Sequence, residues 1–455
     1  MSRCLTHPDR LFLLIAIPFG LLFAFLTPPF GGGDESFHYH RTADIAYFHI
    51  LDKESKVPAG VVAFIYHGMA HYLKADWVAY SRTEYERLAA IPLDAGRAGT
   101  LMMNILTVNH PINYLPQAVA FRLAAEAGAK PLALLYIARL AGLAAGIALT
   151  WLAIRVMPSH RYLLAGFALL PTIVYFRSFL HTDAVTDGMA FLFIALALRA
   201  ITETKPISTK ESFLLALFAL LIASCKGAYA PLALLALAIP RARFASLPKR
   251  LGVIAAIIIP AFIGGLGWMY LVKTFFFIGY HYQTWGGDPV PDEQLSFILH
   301  QPFAYLGVVV NTLFGTPFFL LSLRGILAEM GFMDIHLPSW TYGMLVFLLA
   351  GVAILDVSIR NATYTRPVRM LTLALFLACF GMALTLLYIQ WTGVQAPTIK
   401  GFQGRYFTPV LPLLFLFVKP VKQASATRAG WAVVALGMFG LSAALWSLIT
   451  AYYFR

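Results

Sequence analysis

Residues 11–41 read LFLLIAIPFGLLFAFLT, then PPFGGG, then DESFHYHR. The first block is apolar and uncharged, at the short end of the roughly 17–25 residues that cross about 30 Å of hydrocarbon. Arg3 and Arg10 precede it, and Pro28-Pro29-Phe30-Gly31 offers no small-x-small cleavage site. It reads as a retained membrane helix with the N-terminus inside, not as a signal peptide. The third block sets two carboxylates, two His and an Arg directly where that helix ends.

The whole chain agrees with the first block. Of its 455 residues 60% are hydrophobic and only 12% charged, against roughly 25% charged in soluble domains; mean hydropathy is +0.74. These values exclude a soluble enzyme, a secreted disulfide scaffold and a disordered chain. Cys4, Cys225 and Cys379 form no CxxC or Cys/His metal spacing. The net charge of +13 leaves two explanations, nucleic acid or basic cytoplasmic loops, and the position of the charges decides between them.

Ten further apolar runs predict spans near 134–156, 162–180, 188–201, 213–227, 230–240, 251–276, 342–357, 370–389, 408–418 and 431–453. With 303–323 read as re-entrant or interfacial, every predicted cytoplasmic segment is basic: Arg3 and Arg10; Arg155 and Arg161; Lys205 and Lys210; Arg241, Arg243, Lys249 and Arg250; Arg360, Arg366 and Arg369; Lys419, Lys422 and Arg428. Short loops are where the positive-inside rule is strongest. The expectation is an all-α integral membrane protein of about eleven spans, with the C-terminus outside and no nucleic-acid partner. It divides into the N-terminus and first helix (1–27), a long outer loop (28–133), a transmembrane module (134–276), an outer loop with the re-entrant helix (277–341) and C-terminal helices (342–455). Within the long loop, 64–73 and 101–106 suit amphipathic helices on the membrane surface, and 111–127 a juxtamembrane helix.

Four outer-face clusters carry chemistry-bearing side chains. The first is Asp34, Glu35, His38, His40 and Arg41, a set suited to proton transfer or to a divalent metal, though a solvated charged loop has the same composition. Gly31–Gly33 before it give a backbone able to turn sharply or approach a ligand. The second is His110, Asn113 and Tyr114, where a His-Pro helix start is the plainer reading. The third is Arg177, His181, Asp183 and Asp187, the first three expected on one side of a helix continuation, with Lys226 nearby; ionisable groups at membrane depth face cavities or one another. The fourth is Lys400, Arg405 and Tyr406 in a Gly-rich stretch, where the guanidinium fork suits a lipid phosphate, although a snorkelling anchor is also usual.

Pro28-Pro29 followed by Asp34-Glu35, His38 and Arg41 resembles an uncharacterised bacterial integral-membrane family with P-P and then D-E-x-x-H-x-x-R after its first helix. The likeness continues through His110-Pro111 with Tyr114, Arg139, Ser178–Asp183, Lys226 with Tyr229, Gly331-Phe332-Met333-Asp334 before Leu337-Pro338, and Gly404-Arg405-Tyr406-Phe407 with Pro409. Two departures are a wider gap between prolines and acidic pair, and Met333 where Trp is frequent. That family in turn resembles the GT-C membrane glycosyltransferases. The resemblance implies a first outer loop with a catalytic carboxylate, juxtamembrane helices, and a polyprenyl-phosphate sugar donor used on the periplasmic face of the bacterial inner membrane. It aligns Asp34 with the catalytic carboxylate, Glu35 with its neighbour, Asp183 with the carboxylate after the third span and Arg405 with a donor-phosphate ligand.

On this reading Asp34, Glu35, His38 and Asp183 are catalytic candidates. Arg405, Tyr406, Lys400, Arg177 and Lys226 bind donor phosphate, while Arg41, His110, Asn113, Tyr114 and His181 position the acceptor or the loop. The partners are the lipid-linked donor, a glycan, lipid or protein acceptor, and membrane lipids. The sequence singles out no cofactor, and it leaves a divalent metal open at Asp34, Glu35, His38 and His40. The competing class is a transporter or flippase of lipid-linked saccharides, which tends to show paired repeats and mid-span polar sites; the sequence has neither. A polysaccharide polymerase or ligase would carry its large loop later in the chain.

Overall fold

A computed structural model describes residues 2–72, 80–102, 105–272, 287–419 and 424–454. The end of the expected span 251–276, Met103 and Asn104 of 101–106, and Lys422 lie outside the described residues, as do the side chains of Arg3 and Arg360. Six helices are long and apolar enough to cross a membrane: Pro8–Leu26, Pro131–Val156, Asp183–Thr202, Leu247–Val272, Arg366–Gln390 and Ala426–Tyr453. A bent pair, Pro291–His300 and Pro302–Phe314, meeting at 107°, brings the count to seven if taken as one span. The chain is a helical, multi-pass membrane protein.

The other expected spans take shorter or different forms. Segment 162–180 is two helices, Arg161–Ala168 and Pro171–Ser178. The break falls before Pro171, whose ring disfavours helical geometry in the residue ahead of it. Segment 213–227 lies in Thr209–Cys225, started by a capping pair in which Ser208 accepts the Glu211 N–H, and 342–357 lies in Ser339–Leu355. Segments 230–240 and 408–418 are 3-10 helix, Gly227–Ala238 and Leu411–Phe417. At about 2.0 Å per residue the former is roughly 24 Å long, against roughly 18 Å as α-helix. Segment 303–323 is broken into Pro302–Phe314 and Phe318–Leu327.

Asp183–Thr202 is the central helix, nearly enclosed by protein, while Leu247–Val272 and Arg366–Gln390 turn most of their surface outward. Outward side chains such as Ile263, Tyr270, Phe347 and Trp446 are large and apolar, as a lipid-facing surface requires. The long first loop has a core of its own. Phe30, Tyr39, Phe64, Tyr114 and Phe121 pack together on Leu134, Leu135 and Ala138 at the start of Pro131–Val156. Residues 64–72 thus belong to a buried-faced helix, Ala59–Tyr72, rather than to a surface one, and Leu73 lies outside the described residues. Segment 101–106 corrects further: it begins in a strand, β2 (Ala98–Met102), antiparallel to β1 (Glu54–Pro58). The expected juxtamembrane helix is present as a 3-10 turn, Pro111–Tyr114, running into Leu115–Glu126.

Candidate functional site

The first cluster divides at its second residue. Asp34 stands at the N-cap of helix Glu35–Ala46 in left-handed backbone, φ 60°, without capping it through its side chain. A non-Gly residue there is uncommon and carries strain of order 1–3 kcal/mol. Its side chain is solvent-accessible but crowded. That crowding raises its carboxyl above the ordinary value, and nearby Arg405 opposes the rise.

Glu35 points elsewhere and is fully buried. Its two oxygens accept from Arg139 Nε at 2.7 Å and Nη2 at 2.6 Å, and Oε1 also accepts the Leu180 N–H at 3.0 Å. Arg139 donates its remaining bonds to the carbonyls of Ala24, Thr27 and Pro28 at 2.7–2.9 Å. The pair ties the start of the loop helix to the end of the first span. Both Glu35 oxygens are engaged, so it has no free oxygen for a substrate proton. Gly32 has a packing role: a Cβ there would lie 2.3 Å from the Phe179 ring.

His38 Nδ1 is 2.8 Å from the Tyr114 hydroxyl, and its ring meets His181 edge-on at 4.4 Å. Burial first, and Arg405 second, push its imidazole down to about 3. It is neutral at physiological pH and acts by hydrogen bonding. Arg41 is buried, with Nη1 donating to Ile50 O at 2.9 Å and Nε and Nη2 without partners. His40 lies 3.4 Å from Asp44. The metal reading of Asp34, Glu35, His38 and His40 is corrected: Glu35 faces Arg139, His38 faces Tyr114, His40 faces Asp44. No group of three or more His, Cys, Asp or Glu able to hold a metal occurs among the described residues.

The third and fourth clusters meet, although 222 residues separate them in sequence. The expected helix continuation through Arg177, His181 and Asp183 does not form, because Pro171–Ser178 ends and a new helix begins at Asp183. The break sets Asp183 at a helix N-terminus, where its charge is favoured. Arg405 Nη1 donates to Asp183 Oδ2 at 2.7 Å and lies 2.7 Å from His181 Nε2. His181 Nδ1 accepts the Asp183 N–H at 3.0 Å and lies 3.4 Å from Asp183 Oδ2. Lys226 Nζ approaches Asp183 Oδ1 at 3.3 Å and covers the Tyr406 ring at 4.7 Å. Arg405 lies over the Phe176 ring at 4.3 Å and also bonds Gln403. Its guanidinium is held firmly protonated: burial disfavours the charge, but Asp183 outweighs it. Burial drives the His181 imidazole well below its ordinary value.

Beneath this layer lies a second. Arg177 is buried with none of its three side-chain nitrogens hydrogen-bonded; it lies over Phe191 at 5.8 Å and faces Asp187, which accepts from Thr408 Oγ1 at 2.9 Å. Asn113 spans the two halves, donating to Cys225 O at 2.9 Å and accepting from Thr186 at 3.3 Å. His110 caps its turn through the Ile112 N–H and packs on Trp268, so it serves the loop. Lys400 has an exposed side chain, and only its backbone N–H is bonded, to Thr392; no described contact joins it to Arg405. Glu329, which the sequence reading passed over, lies within electrostatic reach of both Arg405 and Asp183.

The profile of a family described as a predicted membrane protein, DUF2142, matches residues 17–414. The chain belongs to the DUF2142 family. The match takes in the loop start, the central helix and Arg405 alike, so in this DUF2142 chain the two clusters belong to one family unit. No curated protein and no solved structure matches the chain.

Proposed function

We propose that the protein is a membrane glycosyltransferase of GT-C type. It moves a sugar from a polyprenyl-phosphate donor to a glycan, lipid or protein acceptor on the periplasmic face of the bacterial inner membrane. The supporting observation is Asp34, solvent-accessible and strained, beside an Arg405–Asp183–Lys226 group set on aromatic faces. The acceptor hydroxyl attacks the anomeric carbon, the bond from that carbon to the phosphate oxygen breaks, and Asp34 takes the hydroxyl proton. Arg405 and Lys226 stabilise the charge on the departing lipid phosphate. Asp183 holds both cations in place, with His181, His38 and Tyr114 as supports and Glu35 anchoring the loop through Arg139. The eleven-span topology is part of the proposal, since the two 3-10 segments gain reach from their extended rise.

Asp34→Asn tests the reading. Purified in lipid nanodiscs, the variant should lose transfer from polyprenyl-phosphate sugars by roughly 10²–10⁴-fold with an unchanged unfolding temperature. Native turnover in that variant sinks the assignment.

A further inference from the structure

Glu329 follows the short helix Phe318–Leu327 and is pinned by Thr172. Thr172 Oγ1 donates to Gly325 O at 2.9 Å and accepts the Glu329 N–H at 2.7 Å. One helical turn further along Pro171–Ser178 comes Phe176, whose ring carries the Arg405 guanidinium. One helix therefore sets the position of both residues. Gly325 relates them from the other side. A Cβ there would lie 2.8 Å from Gly404 N and 3.3 Å from Glu329 Oε2, so the carboxylate stands beside the backbone that delivers Arg405.

Oε2 is buried and has no hydrogen-bond partner. A buried acceptor left unmade costs about 1–3 kcal/mol, and more when charged. Burial raises the Glu329 carboxyl above its ordinary value, with Arg405 opposing and Asp183 reinforcing. Arg405 Nη1 is turned to Asp183 and His181, and Lys226 Nζ to Asp183. The geometry points to Glu329 as a ligand-binding residue of this site, whose Oε2 accepts a hydrogen bond from a sugar hydroxyl of the lipid-phosphate donor. This rests on the glycosyltransferase reading and deepens it: cations hold the phosphate, while Glu329 reads the sugar.

Binding of bare undecaprenyl phosphate, and of undecaprenyl phosphate carrying mannose, glucose or galactose, separates these roles in native and Glu329→Ala chains in nanodiscs. The expected result is about 10-fold weaker binding of the preferred sugar-bearing lipid, as for loss of a charge-assisted hydrogen bond, and unchanged binding of the bare lipid. Glu329→Gln keeps the shape and serves if the Ala variant fails to fold; it should show the same selectivity, less strongly. Equal weakening of both lipids, or none, overturns the sugar role alone. A native chain that binds none of these lipids overturns the transferase reading and the sugar role together.

Discussion

Two buried carboxylate–guanidinium pairs, Glu35–Arg139 and Asp183–Arg405, differ in how their bonds are distributed. In Glu35–Arg139 both carboxylate oxygens and the guanidinium are used on one another and on fixed backbone groups. In Asp183–Arg405 the carboxylate is shared with Lys226 and His181, the guanidinium rests on an aromatic face, and Glu329 keeps an unpartnered oxygen nearby. A saturated pair fastens two segments. An unsaturated group, ringed by further titratable side chains, has bonds to offer a substrate. Both pairs are charged and buried; completeness of hydrogen bonding separates them.

The comparison breaks most sharply at Arg139. Arg139→Met leaves Glu35 buried and uncompensated, and should cost about 3–5 kcal/mol, seen as a large drop in unfolding temperature or loss of protein from the membrane. Near-native stability would mean that this pair is not a fastening. Arg405→Lys keeps the charge but loses the fork. It should raise KM for the lipid-linked donor by about 10-fold with little change in unfolding temperature, and a stability loss rivalling that of Arg139→Met would erase the contrast. Tyr114→Phe removes the hydroxyl beside His38 and should cost only about 1 kcal/mol; a loss of several would make that bond part of the loop anchor. The smallest effect is on pH. A raised Asp34 carboxyl must lose its proton to act as base, so the acid limb of kcat/KM should lie above the ordinary Asp range of about 3.9. Arg405 favours the ionised form, so residual activity of Arg405→Gln should show that limb moved further up; a downward move would show that another group sets it.

The main spans were legible because long uncharged runs leave a chain few options. The link between His181, Asp183, Lys226 and Arg405 was only half legible. Residue spacing grouped Asp183 with Lys226 and left Arg405 in another cluster, since nothing local joins positions 222 residues distant; only the family resemblance brought Arg405 and Lys226 to one site. The division of Asp34 from Glu35 was not legible in residue spacing. Asp34 precedes the helix in left-handed backbone while Glu35 is its first residue, and that change of backbone turns the two carboxylates to different sides. Glu329 gave little sign, being a lone acid in an apolar stretch whose partners come from three other segments. Strands β1 and β2, ESKVP and AGTLM, lack the alternation that marks a strand.

The 3-10 segment Gly227–Ala238 has a consequence for the site at its head. Rewound as α-helix, its twelve residues would shorten by roughly 6 Å, more than the 3.3 Å that now separates Lys226 Nζ from Asp183. The segment is a ruler without a charge on it, and the position of the ammonium that faces Asp183 is set by its winding as much as by the lysine itself.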